Sequence, residues 1–303
     1  MAGELRTYGD PSIVTDVQKE IELLTPQENL LLRSLQKTTA LSEVHQWQDD
    51  TLASAGSSAV TQYKAFTPDT LSVPTLRTNL IEQVYRAGSV TEAQQKVAHF
   101  SGKDEYSRQV TKQMINWSNA AEFDLLRSSL VSGASGTTSR MNGVINTLTT
   151  NTTAHTSGTV FSESVLIGLL KQTWDNSSGD TTTDLLVGSI LKTKISGFTT
   201  GITKYIDRDA KAAGQVVQMY ESDFGTVNVH LHRYVQLSTD ATARIVGMNM
   251  EKFYIAYLTG GDAKLTKYAK NATSDDFVIN GYLTLENRQQ VSSFFASGFL
   301  KAV

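Results

Sequence analysis

The residues able to do chemistry are few, and their spacing rarely completes a site. Gly102-Lys103 has the closing pair of a phosphate-binding loop, in which backbone amides cradle phosphates and the lysine reaches the terminal oxygens. Val97 stands where the first glycine of that loop belongs, and Asp104 stands where a serine or threonine must hold magnesium. Gly133-Ala134-Ser135-Gly136 begins like the strained elbow that exposes a nucleophilic serine, yet Thr137 replaces its closing glycine. His230 and His232 are two apart, so on a strand both imidazoles share one face and could begin a metal site. No acidic or third histidine ligand is near them in sequence, and a solvent-facing pair is the simpler reading. Asp207 and Asp209 flank Arg208, as a carboxylate pair or, more simply, a solvated charge cluster at a turn. Asn116-Trp117-Ser118 and Asn271-Ala272-Thr273 fit glycosylation acceptors, which require a secretory route. The absence of cysteine excludes thiol catalysis, disulfides and Cys-ligated zinc. The sequence therefore assigns no catalytic, cofactor-binding or metal-ligating residue, and no cofactor is expected.

The elements that would position such residues are more informative. Ser101 followed by Asp104 has the pattern of a helix N-cap, and Tyr106, Val110, Met114, Trp117, Ala121 and Leu125 recur at helical steps with no proline between them. A helix starting near residue 102 and stopping at Gly133 is expected, about thirty residues and on the order of 45 Å long. Its opposite face, with Lys103, Arg108, Lys112, Asn116, Asn119 and Glu122, is expected to meet water or a partner. Upstream, Ala59 to Thr67 and Arg77 to Ala87 read as two extended runs around Pro68-Asp69-Thr70 and Pro74. Neither face of this ribbon is cleanly apolar, so it needs another surface to lie on.

The first 55 residues hold short helical pieces at Ser12 to Leu24 and Gln27 to Gln36, too short to build a core. Residues 132 to 160 are dominated by Ser, Thr, Gly and Asn and read as an exposed connection. Helical spacing resumes from Ser162 to Trp174, and Asn176 to Asp180 reads as a turn. Strands are expected at Leu185 to Val187, Thr226 to Val235, Arg244 to Met248, Phe253 to Leu258 and Phe277 to Leu285, followed by a short apolar end at Val291 to Leu300. In Thr226 to Val235 the apolar face is Val227, Val229, Leu231 and Val235. No internal repeat or interdomain linker is visible.

Composition narrows the class. At 303 residues, with 40% hydrophobic and 19% charged residues, the chain is globular and can bury a sizeable core. A net charge of -3 without a Lys/Arg cluster argues against dedicated nucleic-acid binding, though weak general contact with DNA is compatible with it. The N-terminal MAGELRTYGD lacks the pattern of a secretory signal, and the longest apolar run, Phe253 to Leu258, is far short of a membrane span. A soluble protein made in the cytoplasm is expected.

Five segments carry a family resemblance: Asn79 to Val84 with Val90-Thr91; Ala121-Glu122-Phe123-Asp124-Leu125-Leu126; Arg140-Met141-Asn142-Gly143; Tyr220-Glu221-Ser222-Asp223-Phe224-Gly225; and Asn280-Gly281-Tyr282-Leu283-Thr284-Leu285-Glu286. In this order and spacing the chain resembles the major capsid (head) proteins of tailed bacteriophages with the HK97 fold, and more narrowly the phage SU10-type major head proteins. The resemblance implies an α+β, HK97-like architecture. It would comprise an N-terminal arm (1–55), an extended β-loop (56–89), a peripheral domain with a long spine helix (90–140 and 262–303) and an axial domain (141–261).

The same resemblance implies a non-enzymatic structural protein of the virion capsid, assembled in the host cytoplasm. It would self-assemble into hexamers and pentamers of an icosahedral shell around double-stranded DNA. The implied partners are other copies of the chain, a portal protein, scaffolding and decoration proteins, and packaged DNA held by weak non-specific contact, with no membrane. No scaffold region fused to the N-terminus is expected. Certain relatives link subunits through a lysine of the extended loop; Lys64 is the only lysine within residues 56 to 90, and no surrounding motif supports that chemistry. The alternatives are an encapsulin-type nanocompartment shell with the same fold, or an α/β hydrolase or binding protein, which would need a convergent polar pocket.

Overall fold

A helix that buries one stripe of its surface organises the computed structural model, which describes residues 29–52, 56–57, 59–65, 68, 71–97, 104–177, 179–198, 204–205, 219–270 and 273–301. In chain order the elements are α1 (Leu30–Ser34), β1 (Gln36–Ala40), β2 (Val44–Asp49), β3 (Thr75–Leu80), β4 (Glu82–Thr91), α2 (Glu92–Lys96), α3 (Glu105–Arg127), α4 (Val144–Thr147), β5 (Thr152–Thr159), α5 (Glu163–Asn176), β6 (Asp184–Val187), α6 (Ser189–Gly197), β7 (Lys204–Tyr205), β8 (Met219–Ser222), β9 (Gly225–Leu231), β10 (Ala243–Met248), β11 (Phe253–Leu258), β12 (Lys264–Lys267), β13 (Ser274–Asn287) and β14 (Phe294–Phe299).

Helix α3 is the expected spine, with its boundaries moved. Asp104 is the N-cap: its carboxylate accepts from Ser107 N at 3.1 Å and from Ser107 Oγ at 2.8 Å. Ser101 to Lys103 lie outside the described residues. The helix runs 23 residues, about 34 Å at 1.5 Å per residue, and turns to extended backbone at Ser128 rather than at Gly133. The early stop has a packing cause. The returning chain crosses the helix end at Gly143, whose N–H donates to Ser128 O at 2.8 Å. A Cβ at Gly143 would lie 2.9 Å from Asp124 O and from Ser128 N, so only glycine allows the crossing. Between the helix end and Gly143, bridges Val131↔Arg140 and Ala134↔Thr137 close a small loop whose tip, Gly136, takes φ +81°.

The ribbon differs from its expected pairing. Strand β2 pairs with β3 in antiparallel register, Val44↔Leu80 through Asp49↔Thr75, so the partner of the 77–80 run lies before the loop and not within 59–67. The run from Arg77 to Ala87 breaks at Ile81, whose N–H donates to Glu43 O at 2.9 Å, and continues as β4 against β13. The described residues of 59–67 form no strand and sit in the long connection between β2 and β3. The cause is competition: β13 offers β4 ten consecutive partners, from Leu283↔Glu82 to Ser274↔Thr91.

Two larger sheets complete the frame. One has the order β1-β11-β13-β12 with β4 on the free side of β13. Strand β1 enters it parallel to β11, and Leu31 and Leu35 are buried in the main core, so this part of the arm, expected to be too short to build a core, contributes to one. The second sheet, β5-β14-β10-β6-β9-β8-β7, separates two apolar clusters. Along β6, Leu186 faces the cluster beneath α3 while Leu185 and Val187 face the cluster beneath α5 and α6, the period-two alternation of a strand buried on both sides. The Ser/Thr-rich stretch is not only a connection: β5 lies within it and pairs in parallel with β14, threonine being well suited to a half-exposed strand. Strand β9 ends at Leu231, which is 61% exposed instead of continuing the inward row to Val235.

Candidate functional site

The most deeply buried charged side chain, Glu122, lies where the arm, the spine helix and the loop between β9 and β10 meet. Glu122 was expected on the solvent face of the helix; it is fully buried. Its Oε1 accepts from Leu31 N at 2.7 Å and lies 2.8 Å from His232 Nε2, and its Oε2 accepts from Leu32 N at 2.9 Å. Tyr234 N donates to His232 Nδ1 at 3.3 Å, which leaves Nε2 as the protonated nitrogen that donates to Glu122. One carboxylate thus satisfies two first-turn amides of α1 and one imidazole.

Two further contacts continue the same seam. Phe123 meets Tyr234 edge-on at 5.6 Å, and Arg127, the last residue of α3, forks onto Asp240 with two bonds of 2.9 Å. The Arg127 hydrogen bonds hold the Asp240 carboxyl down at about 2, against the opposing effect of burial. Residues 122, 123 and 127 therefore fasten the loop from 232 to 240 along the C-terminal half of the spine.

On the neighbouring side of α3, Glu82 accepts from Ser128 Oγ and Met141 N, both at 3.1 Å, with Arg140 Nε 3.9 Å away. Burial raises the Glu82 pKa, with those hydrogen bonds and Arg140 opposing. Burial, and then the repulsion of Glu82, push Asp124 up to about 6, with Arg140 and Arg86 acting against the rise. This pair sits at the base of β4 and the end of the helix, where a negative charge also meets the unfavourable end of the helix dipole.

The sequence-level candidates separate in the structure. His230 Nε2 lies 2.9 Å from Asp184 Oδ1 while His232 engages Glu122, so the two imidazoles serve different carboxylates. Among the described residues no group of three or more His, Asp or Glu is placed to hold a metal ion. Gly102-Lys103 and the Asp207-Arg208-Asp209 cluster lie outside the described residues, as do Asn271 and Ala272. Ser135 is exposed in the small loop after α3, and Lys64 is exposed in the β2–β3 connection. That connection also presents Leu52, Tyr63, Leu71 and Val73, each at least 84% exposed, and Tyr63 is the one described non-glycine residue with positive φ, at 65°. No described helix is long and apolar enough to cross a membrane.

Sequence reasoning named His232 only as half of a histidine pair and Glu122 only on the polar face of the helix, and it missed Arg127, Asp240 and the junction that joins them. The available signal was that Glu122 borders the apolar stripe between Ala121 and Leu125, but a partner 110 residues away leaves no local trace.

The model of the SU10 major capsid protein family matches residues 4–298. The chain belongs to that family. No curated protein matches it. Among solved structures, this capsid protein is similar to the capsid of a native GTA particle at 9% identity and TM-score 0.70, covering 97% of this chain and 98% of that one. It is similar to the capsid of Myoviridae phage XM1 at 11% identity and TM-score 0.62, covering 99% and 100%. The holo-SrpI encapsulin complex from Synechococcus elongatus PCC 7942 matches at 12% identity and TM-score 0.64, covering 99% and 98%. At such identities these likenesses establish the fold, which is the α+β, HK97-like fold of phage capsids and encapsulins. The family establishes the major capsid protein.

Proposed function

We propose that copies of this chain form hexamers and pentamers that close into an icosahedral phage head around double-stranded DNA, with a structural and not a catalytic role. The observation that supports it best is the β2–β3 connection, whose described residues display several nearly fully exposed large apolar side chains and include no buried one. Exposed apolar patches of this kind mark interaction surfaces. In a shell, the nearest surface available to cover them belongs to another copy.

Within that reading residues 1–55 are the arm, 56–89 the extended loop, 90–140 and 262–303 the peripheral domain, and 141–261 the axial domain, with β2 lending arm residues to the root of the loop. A portal protein, scaffolding and decoration proteins are the further partners, and assembly takes place in the host cytoplasm. A mildly acidic chain suits a container that contacts packaged DNA weakly.

The likeness to an encapsulin keeps a second reading, a nanocompartment loaded with protein. The content of particles purified from the native source separates the two. Nuclease-protected double-stranded DNA supports the phage head; particles filled with one protein and free of DNA contradict it.

A further inference from the structure

The turn from 237 to 240 draws in more positive charge than its seam with α3 accounts for. Arg127 forks onto the Asp240 carboxylate, and Arg244 Nη2 lies 3.3 Å from the same group. A third cation arrives from the far end of the chain. Lys301, two residues beyond β14, donates from Nζ to Leu237 O at 3.2 Å, to Ser238 O at 3.3 Å and to Asp240 O. The two arginines hold the Asp240 side chain, whereas the lysine bonds only main-chain oxygens of the turn.

Both sides of this contact are held in place. Asp240 N donates to Leu237 O at 3.2 Å and Leu237 N donates to Asp240 Oδ2 at 2.8 Å, so the turn is closed on itself before the lysine reaches it. Phe299 pairs with Ala243, and Leu300 N donates to Thr159 O at 2.8 Å, which fixes the point from which the Lys301 stem departs. Ser238 and Thr239 are exposed, so the turn opens to water.

The arrangement selects one kind of cation. Three acceptors meeting at a single nitrogen match the three N–H donors of an ammonium. A guanidinium spreads its donors in a plane and cannot aim three of them at one point. Calcium requires about six to eight oxygens, and the two guanidiniums beside the turn repel a divalent charge.

We infer that the turn 237–240 is a binding site for a primary ammonium group, which the chain fills with Lys301 as a strap from β14. The strap completes a circuit: α3 holds the turn through Arg127, and β14 holds it through Lys301. With the strap shortened, the same site takes a free alkylammonium ion. This is a property of the single chain and stands apart from the shell reading.

Hydrogen exchange of the 237–240 amides, measured by mass spectrometry on the full chain, tests it. Lys301→Ala leaves the room of a propylammonium ion, and Lys301→Arg keeps the charge but not the donor geometry. Both are expected to exchange about tenfold faster than the parent. Propylammonium is expected to return Lys301→Ala to within about twofold of the parent, while tetramethylammonium at the same ionic strength, a cation without N–H donors, leaves it fast. An unchanged rate in Lys301→Ala, parent-like exchange in Lys301→Arg, or equal recovery with tetramethylammonium overturns the site. A second measurement needs no variant. In the parent, Lys301 is expected to react with an amine-acylating reagent about tenfold more slowly than the exposed Lys264, and equal rates would show the strap to be open.

Discussion

Glu122 of the spine helix takes a 2.8 Å hydrogen bond from His232, which stands 110 residues later in the loop after β9, and the same carboxylate caps α1 of the arm. A single buried anion thereby joins three parts of the chain that local sequence treats as separate. Replacing it with alanine strands two amides and an imidazole N–H away from water. Glu122→Ala is expected to lower the unfolding free energy by about 3 kcal/mol or more, and Glu122→Gln, which keeps one acceptor, by about half as much. Urea denaturation measures both; an alanine variant within about 0.5 kcal/mol of the parent would refute the role of the junction.

Asp124 gives a pH dependence with a definite sign. Its pKa rises from 3.8 to about 6 in the folded protein, so the fold favours the protonated form. The group's stabilising contribution is complete below 3.8 and is lost as pH rises through about 6. Asp124→Asn removes the charge that burial and Glu82 oppose. Discounted for the partial exposure of the site, the gain is expected to be about 1 kcal/mol at pH 8 and to vanish near pH 4. Melting temperatures of parent and variant across that range check it, and a gain that grows toward acid would have the wrong sign.

Two glycines separate crowding from backbone conformation. Gly143→Ala pushes a methyl against the end of α3 and is expected to cost about 2–3 kcal/mol. Gly136→Ala meets no atom within 4 Å and is strained only by φ +81°, a cost of about 1 kcal/mol. Equal losses in denaturation experiments would show that the crossing at Gly143 is looser than described.

The extended connection is expected to matter to assembly and not to folding. Replacing Leu52, Tyr63 and Leu71 together with serine removes only exposed side chains, so the subunit's melting temperature stays within about 2 °C while shell yield falls sharply. Lys64 in the same connection lacks a supporting motif for subunit linkage. A denaturing gel of assembled particles is expected to show one band near 33.1 kDa, and a ladder of multiples would reverse that expectation.

The spine helix, the buried strand at Leu185 to Val187 and the strands of the C-terminal half were legible because their apolar spacing is local. The ribbon was not. The 77–87 run has strand character throughout, and nothing local says that Leu80 belongs with Val44 while Glu82 belongs with Leu283. The end of α3 was misplaced for a related reason: the feature that stops it is Gly143, fifteen residues beyond Ser128, pressing on the last turn. At the junction, Glu122 looked like a surface residue because charge is usually solvated, and its burial is intelligible only through donors supplied by Leu31, Leu32 and His232.

The central claim is that copies of this chain complete one another's surfaces in a closed shell. Size-exclusion chromatography with light scattering on the purified protein, followed by electron microscopy of the leading peak, tests it most directly. Megadalton particles with icosahedral outlines built from hexamers and pentamers are the expected result; a stable monomer at every concentration and ionic condition tried would contradict it.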